Sequence, residues 1–497
     1  MERGRSMMRS TVRRRTTVRM ASLLVVAGCG SGSPNDAPGT AGTSAVIGAG
    51  AGAGAAAGTG GTVVGASGAG AGGAVATAGA QSTGGSGATG GVSGLGGSSG
   101  MTSAAGAGGA GTGGAGSGGA GTGGASGSGG TTGAGAGGAP SAYPCDGDPN
   151  GYDAVVSNSG GSWIAQRGSD MVYSGADMRA AMQAGIDSLD PGRTSKQSVL
   201  VQGSGSIAAN ARVSVASYTI LNVCGTIDVT GSGSGDMAPI YARDRSDIEI
   251  PNLSLTGAPV YGMFFRDVDN LHLGQIDLRL SSGLGIRIDN HGRTDRADKV
   301  TNIRIDHVYV EGTSTQGVET YGVDDITIGT VVARNTGDSG LLLNDTTHAE
   351  IGLVDAIDAG TGTGYAAFRM ANRNGRVDGA YPVNIHVGEV IARGGGRGIF
   401  CVSESGGAVI DRVDIADTGN NSILIENCYN VNIAAEGGSV TGGGDIRIAA
   451  RTEFANSSQI TIQNLTVTDS AINENPCADD STFLDNTLVR SASNVCN

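Results

Sequence analysis

The chain has 497 residues, of which 92 are glycine and only 4% are aromatic, and its formal net charge is −14. Outside residues 1–28 it has no basic run, zinc-ligand spacing or phosphate-binding loop, and an acidic chain of this kind is a poor partner for nucleic acid. Residues 31–141 are almost entirely Gly, Ala, Ser and Thr, so only residues 142–497 have the composition of a folded domain.

Residues 1–28 have the pattern of a secretory leader, in which an Arg-rich segment precedes a short apolar run, residues 21–28. The run is too short to cross a membrane as a helix. It ends in Val26-Ala27-Gly28-Cys29, which resembles the bacterial lipobox. The resemblance implies that Cys29 is lipidated and that the protein is anchored in the bacterial cell envelope, at the outer membrane or cell surface. An ordinary leader followed by a chance cysteine is the alternative, and an internal methionine is an alternative start.

Residues 29–141 are predicted to be a disordered tether. They lack the apolar side chains whose burial offsets the entropy of folding. A Gly/Ser-rich chain of ~110 residues has an average reach of about 60 Å. We therefore expect the tether to hold the following domain away from the lipid surface.

Residues 142–230 are predicted to form an N-terminal cap and the first coils of a stacked fold. Ser174 is predicted to cap an amphipathic helix that ends at Asp190-Pro191-Gly192. Short runs of alternating apolar residues follow, such as Gly225-Thr-Ile-Asp-Val229, and these indicate strands. An amphipathic helix ahead of such strands suits a cover for the open end of the stack.

Residues 231–470 repeat one alternating pattern every 22–32 residues. The repeated segments are 262–266, 285–289, 317–321, 340–344, 367–371, 398–402, 422–426 and 444–448. Alternation with period two indicates strands with one buried face, and short strands in each repeat indicate coils stacked on one another. No helical pattern separates the strands, so a parallel β-helix is predicted, with residues 471–497 as a C-terminal tail.

The helix near residues 174–190, the Gly225-Thr-Ile-Asp-Val229 run and the Asn-Ile-x-Ile segments resemble the pectin-lyase-like superfamily. The resemblance spans about residues 145–470 and implies an all-β, single right-handed parallel β-helix with a capping helix. We expect a monomer. The motifs that carry activity in polygalacturonases and pectate lyases are not recognisable in this sequence, so the candidate site must be argued from its own residues.

Residues 142–497 contain six cysteines, an even number that favours disulfides in an exported chain. The predicted pairs are Cys477 with Cys496, which would close the tail, and Cys145 with Cys224, which would fix the cap. Cys401 and Cys428 lie on neighbouring coils, and Cys401 is equally well explained as a small apolar core residue. No Cys-x-x-Cys spacing indicates zinc, and no metal site is predicted.

The repeat also predicts which side chains leave the core, because alternate residues of a strand point to opposite faces. Ile286, Val318 and Leu341 should point inward, and the residues between them should point outward on coils ~4.8 Å apart. Long loops at 290–301 and 359–382 could wall a groove. The expected outward patch contains Arg287, Asp289, His291, Glu319, Tyr321, Asn344, Arg369, Arg373 and Glu404, with Asp338 at its edge.

These residue types suit cleavage of a polysaccharide. In β-elimination from a uronate, Arg287 or Arg369 would neutralise the carboxylate, and Tyr321 or His291 would move the proton. In hydrolysis, two carboxylates would act as acid and base, chosen from Glu319, Asp289, Asp338 and Glu404. We favour elimination because Arg, Tyr and His accompany the acids. Asn344, Arg369, Arg373 and Glu404 are the expected substrate-binding residues.

Two other interpretations stay open at this point. The protein could be a non-catalytic adhesin or glycan-binding module, or the patch could be a passive ladder of polar side chains. Arg287 beside Glu319 could be a surface ion pair worth about 0–1 kcal/mol, and Asp289 could simply neutralise Arg266. The sequence shows no cofactor motif, and it does not exclude Ca²⁺.

Overall fold

The fold was analysed in a computed structural model, which describes residues 145, 148–290, 299–360 and 364–496. The leader with Cys29, the tether and His291 lie outside the described residues. The described chain is a right-handed parallel β-helix of about 12 turns with a single short helix, which confirms the predicted fold class. Among the described residues, no helix is long and apolar enough to cross a membrane.

The helix is α1, Met178–Asp187. The strands in chain order are β1 Ala154–Ser159, β2 Ser162–Arg167, β3 Asp170–Gly175, β4 Gln197–Gln202, β5 Gly205–Ala208, β6 Val213–Ser214, β7 Thr219–Cys224, β8 Thr226–Thr230, β9 Ile240–Gly257, β10 Tyr261–Leu280, β11 Leu284–Asp289, β12 Val300–Glu311, β13 Val318–Tyr321, β14 Val323–Arg334, β15 Leu341–Asn344, β16 Thr347–Ile357, β17 Phe368–Ala371, β18 Ile385–Arg393, β19 Ile399–Ala416, β20 Ile423–Thr441, β21 Ile446–Ala449, β22 Ser458–Gln463, β23 Leu465–Thr468, β24 Ala471–Glu474, β25 Thr482–Leu484, β26 Thr487–Val489 and β27 Ala492–Asn494.

Each coil of the β-helix has three walls. Wall A contains β11, β13, β15 and β17, and walls B and C are the two halves of strands such as β12 and β14. Neighbouring coils pair in parallel, so that Ile305 on wall B lies opposite Ile328 and Val310 on wall C lies opposite Ala333. One sequence repeat is therefore one coil.

The interior is a continuous apolar column, as the alternation predicts. On wall A, Ile286, Val318, Leu341, Phe368 and Ile399 occupy successive coils and are completely buried. Full burial of such a side chain contributes roughly 1.5–3 kcal/mol relative to exposure. The stack as a whole buries what one coil alone could not.

The Asn-Ile-x-Ile segments mark the corner that leads into wall B. Asn270, Asn302, Asp325 and His348 stand there on successive coils with φ of 54°, 57°, 65° and 50°. Asn and Asp tolerate this left-handed conformation better than most residues. The Asn302 side-chain amide also donates to Asn270 Oδ1 at 2.8 Å, which ties one coil to the next.

The N-terminal cap differs in detail from the prediction. The helix begins after Asp177, whose Oδ1 accepts a hydrogen bond from the Ala180 backbone N–H at 3.1 Å. Ser174 is not the cap, because it belongs to β3 and pairs with Ile164 in an antiparallel arrangement. An Asp at the N-cap satisfies an otherwise unpaired helix N–H, so the helix starts three residues later than expected.

The segment that was expected as a tail continues the β-helix from residue 471 to residue 494. β24 pairs with β21, and β25, β26 and β27 pair with β22, β23 and β24. Pairing between the backbones of neighbouring coils therefore continues as far as residue 494. The short alternation Ala471–Glu474 was the signal for this last coil.

Three disulfides tie the coils together. Cys145 is bonded to Cys224 at the N-terminal end and Cys477 to Cys496 in the last coil, with Cα–Cα distances of 5.3 and 5.7 Å. The remaining pair, which the sequence left open, is bonded as well: Cys401 joins Cys428 on the next coil. Both of these cysteines are fully buried, so the bond crosses the core rather than the surface.

Candidate functional site on wall A

The outward residues of wall A stack in the predicted register. Arg287 lies opposite Glu319, and Asp289 lies opposite Tyr321 on the next coil. The two columns continue to Leu342 and Asn344, and then to Arg369 and Ala371. The charged and phenolic groups thus share one wall, which is the arrangement that the candidate site requires.

A continuous chain of charged hydrogen bonds runs along this wall. Arg266 Nε donates to Asp289 Oδ1 at 2.7 Å, and Arg287 Nε donates to Asp289 Oδ2 at 2.6 Å. Arg287 Nη1 then donates to Glu319 Oε2 at 2.7 Å, and the Asn344 amide donates to Glu319 Oε1 at 3.0 Å. We call these five residues the ion-pair ladder.

The ladder corrects the expectation that these groups face solvent. Asp289 has no exposed surface, Glu319 is 7% exposed and Asn344 is buried. The reason is that coil stacking brings opposite charges within bonding distance, and the guanidinium groups close over the carboxylates. Arg287 and Asp289 are consequently held by each other, and Asp289 also neutralises Arg266. Arg287 and Asp289 therefore support the structure of the wall and are not available to contact a substrate.

Arg369 is different from the arginines of the ladder. Its guanidinium lies over the rings of Tyr365 and Phe400, at 5.5 and 5.3 Å from their centroids. Its Nε is buried without a hydrogen-bond partner, and Arg369 makes no salt bridge with any residue that the structure describes. Burial lowers the pKa of Arg369, because desolvation disfavours the cation more than the charges of Tyr365, Asp338 and Glu319 favour it.

Two carboxyl groups that interact with the charge of Arg369 have raised pKa values. Burial raises the pKa of Glu319, against the opposing charge of Arg287. Burial also raises the pKa of Asp338, against the charge of Arg369 and a hydrogen bond from the Tyr365 hydroxyl. Burial raises the pKa of Tyr365 as well, so this phenol stays protonated near neutral pH. We call Asp338, Tyr365 and Arg369, together with Glu319, the Arg369 centre.

Tyr365 was not foreseen as a site residue. It lies in the long loop before β17, which the sequence predicted only as a wall of a groove. Nothing in a loop sequence shows where an aromatic side chain will point. The single cue was the length of the loop, because loops of this length on a regular scaffold are often functional.

A second titratable cluster lies where wall A ends. His348 Nδ1 is 2.6 Å from Asp324 Oδ1, and Lys299 Nζ is 3.1 Å from Asp345 Oδ1. Tyr321 lies beside them, and burial raises its pKa with the charge of Asp345 adding to the effect. Sequence reasoning missed His348 because it stands at a corner, where a turn role is the ordinary explanation.

Arg373 and Glu404 lie at the same corner rather than in the centre of the wall. Arg373 Nε donates to Glu404 Oε2 at 3.2 Å, and the Arg373 side chain is 61% exposed. Both residues have positive φ, 64° and 58°, so they turn the chain out of wall A. They therefore form an exposed ion pair at the edge of the patch.

Beyond Arg369 the outward face of wall A becomes apolar. The residues that form this outer apolar cluster are Leu342, Ala366, Ala371, Phe400, Val402, Leu424 and Ala449, and all are buried. Part of the cover is Ala366, from the loop before β17. Accessible polar surface lies around the Arg369 centre, along the corner that carries Tyr321 and Arg373, and at Arg447 on the far side of the cluster.

No resident metal site is apparent in the part of the chain that the structure describes, where no three His, Cys, Asp or Glu side chains are grouped to hold an ion. The carboxylates of the ladder are already bonded to arginines, which leaves little ligand capacity. Any ion used by this site would need ligands from a substrate or from other residues.

No protein-family model and no curated protein matches the sequence. Among solved structures, the chain is similar to the A-module of mannuronan C-5 epimerase AlgE4 from Azotobacter vinelandii, at 14% identity over 65% of this chain and 94% of that chain, with a TM-score of 0.38. It is also similar to a family 28 exopolygalacturonase from Yersinia enterocolitica, at 12% identity over 67% and 82% of the chains, with a TM-score of 0.32. Both neighbours are pectin-lyase-like parallel β-helix proteins. At these identities and TM-scores, neither similarity carries an argument about the function of this chain.

Proposed function

We propose that this protein binds and cleaves a uronate-containing polysaccharide at the Arg369 centre. The observation that carries the proposal is the partly buried Arg369 side chain, whose guanidinium lies over two aromatic rings and makes no salt bridge with a described residue. Leaving such a cation unpaired is costly, and a planar carboxylate can accept two parallel hydrogen bonds from it. A uronate supplies that carboxylate, and Tyr365 offers a ring on which a sugar can stack.

β-Elimination is the reaction that these side chains suit best. Arg369 would pair with the uronate carboxylate, which makes the neighbouring C–H bond more acidic. Asp338, whose pKa burial raises, would take that proton as general base. The electron pair would form the new C=C bond and expel the glycosidic oxygen. Tyr365, which stays protonated, would give its proton to that leaving oxygen.

Hydrolysis is the second candidate, and the raised pKa values of two carboxyl groups favour it. Glu319 and Asp338 each interact with the charge of Arg369. One protonated and one ionised carboxyl group is the usual pair for acid–base cleavage of a glycosidic bond. Burial of Glu319 weighs against this route, since its two oxygens are already bonded to Arg287 and Asn344.

The test is cleavage of a panel of uronate-containing and neutral polysaccharides. Elimination gives an unsaturated product that absorbs in the ultraviolet, whereas hydrolysis gives new reducing ends without that absorbance. Asp338→Asn and Tyr365→Phe should abolish elimination, while His348→Ala should leave it in place. If His348→Ala alone abolishes cleavage, the reaction belongs to the cluster at the end of wall A. Retention of a polysaccharide without any cleavage would instead support a glycan-binding module or adhesin.

We also propose that the domain acts at the bacterial surface. Support comes from the lipobox-like sequence at Cys29 and from the Gly-rich composition of residues 29–141, which suits a tether. Cys29→Ser should release the protein from the membrane fraction and abolish incorporation of labelled palmitate. If that variant stays in the membrane fraction, lipid anchoring through Cys29 is refuted, and the proposed reaction is unaffected.

A further inference from the structure

Two tyrosines form a fixed aromatic pair at the corner where wall A ends. The rings of Tyr381 and Tyr429 have centroids 4.9 Å apart and are inclined at 43°. The Tyr381 hydroxyl donates to the backbone oxygen of Glu404, and the Tyr429 hydroxyl donates to that of Ala455 at 3.3 Å. The Asn430 side-chain amide also donates to the Tyr381 backbone oxygen at 2.8 Å. The pair is therefore held at both ring tips and at its backbone.

The pair lies on the same edge of the β-helix as Tyr321. Tyr321 is followed on later coils by Asn344, Ala371, Val402 and Glu426, and Tyr429 comes three residues after the last of these. Two coil steps of ~4.8 Å, from Arg369 to Phe400 and then to Leu424, place the pair about 10 Å along the axis from the Arg369 centre. A chain must therefore extend beyond the sugar bound at Arg369 to reach the pair.

The surroundings of the pair are polar and carry charges of both signs. Burial raises the pKa of Tyr381 to about 12, and the charges of Arg376 and Glu404 act on both phenols in opposite directions. Both phenols are thus neutral, and both rings keep part of their surface exposed. The buried outer apolar cluster lies next to them on wall A. A ligand that extends from the Arg369 centre must consequently follow the exposed corner rather than cross that cluster.

We propose that Tyr381 and Tyr429 form a distal sugar-stacking subsite for the polysaccharide chain, which runs along the helix axis. This inference rests on the proposed function for the identity of the chain. The apolar C–H face of a sugar ring would pack against the tyrosine rings, and Arg376 would bond to its hydroxyl or carboxylate groups. The pinned rings lose little conformational freedom on binding, which favours affinity.

The test compares long and short substrates with a ring-deletion variant. Tyr429→Ala should raise KM for a long polymer by about 2- to 13-fold, the equivalent of the roughly 0.5–1.5 kcal/mol that an aromatic contact contributes. It should leave kcat for that polymer unchanged and should have no effect on an oligosaccharide too short to reach the pair. Tyr429→Phe, which keeps the ring, should behave as the native protein. Tyr309→Ala is the matched control, since Tyr309 is a half-buried tyrosine on wall C.

The outcomes separate this inference from the proposed reaction. Migration in gels that contain the polysaccharide measures binding without cleavage. Reduced retention of Tyr429→Ala, but not of Tyr309→Ala, supports the subsite even if nothing is cleaved. Equal KM values and equal retention for Tyr429→Ala and the native protein overturn it, whatever is cleaved. If Tyr429→Ala fails to fold, Tyr429→Leu takes its place and is judged by the same criteria.

Discussion

Arg369→Met and Arg287→Met should separate substrate binding from stability within one outward column of wall A. Arg287 bonds to Asp289 at 2.6 Å and to Glu319 at 2.7 Å, and both carboxylates are buried. Arg369 has no salt bridge with a described residue and only ring contacts with Tyr365 and Phe400. The same substitution therefore removes a structural cation in one case and an unpaired cation in the other.

The expected magnitudes follow from these contacts. Arg287→Met leaves two buried carboxylates short of a donor, and breaking a buried ion pair in this way costs about 3–5 kcal/mol of unfolding free energy. Arg369→Met loses two cation–π contacts of about 0.5–1 kcal/mol each, but it also removes the cost of an unpaired buried charge. Its unfolding free energy should change by less than about 1 kcal/mol. Loss of a paired carboxylate worth about 3 kcal/mol should lower kcat/KM roughly a hundredfold.

Urea unfolding followed by circular dichroism measures the stability of both variants, and initial rates of release of the unsaturated product measure kcat/KM. The prediction is a stable, inactive Arg369→Met and a destabilised Arg287→Met. The reasoning is refuted if Arg369→Met keeps native kcat/KM on a substrate that the native protein cleaves. It is refuted equally if Arg369→Met is as destabilised as Arg287→Met, because Arg369 would then be a structural residue.

Three further predictions follow from the same structure. If Asp338 is the general base, kcat/KM should fall as the pH drops through its raised pKa, so that the acid limb of the profile lies above the ordinary value of 3.8; an acid limb that Asp338→Asn leaves in place would contradict this role. The hydrogen bond between His272 and Glu249 raises the pKa of His272, and the same hydrogen bond lowers the pKa of Glu249 to about 2. A histidine whose pKa is higher in the folded state stabilises the fold below its unfolded-state pKa of about 6.5, and this stabilisation is lost as the pH rises through the folded-state pKa. His272→Gln should therefore lower the urea midpoint more at about pH 5.5 than at about pH 8. Equal losses at the two pH values would rule out a charged His272. Replacing Cys477 and Cys496 by serine should cost about 3 kcal/mol in a loop-closure account, seen as earlier hydrogen exchange in the last coil, whereas exchange that stays native would show that the bond contributes little.

Direction of side chains on wall A could be predicted from sequence, and exposure could not. Alternation with period two places Ile286 inside and Arg287 outside, and the pairing of coils confirms both positions. Whether an outward side chain meets water depends on the neighbouring coil, which lies 32 residues away in the case of Glu319. Opposite charges on neighbouring coils form the buried ion-pair ladder, and no local sequence pattern predicts this burial.

The positions of side chains in irregular segments could not be predicted from the sequence either. Tyr365 reaches Asp338 from a loop, and His348 reaches Asp324 from a corner, so neither follows a repeat. Ser174 and Asp177 are both good helix caps by type, and only strand pairing of the first decides between them. The last coil was missed because its final three strands have three residues each and bury almost no side chain, so they show no apolar alternation.

Carboxylate recognition by Arg369 is the central claim, and gel retention on two matched polymers tests it most directly. One gel contains a uronate polysaccharide, and the other contains the same polymer after its carboxylates have been reduced to alcohols. The native protein should be retarded only by the acidic polymer, and Arg369→Met should be retarded by neither. Equal retardation of the native protein and Arg369→Met by the acidic polymer, or no retardation of the native protein, would contradict the claim.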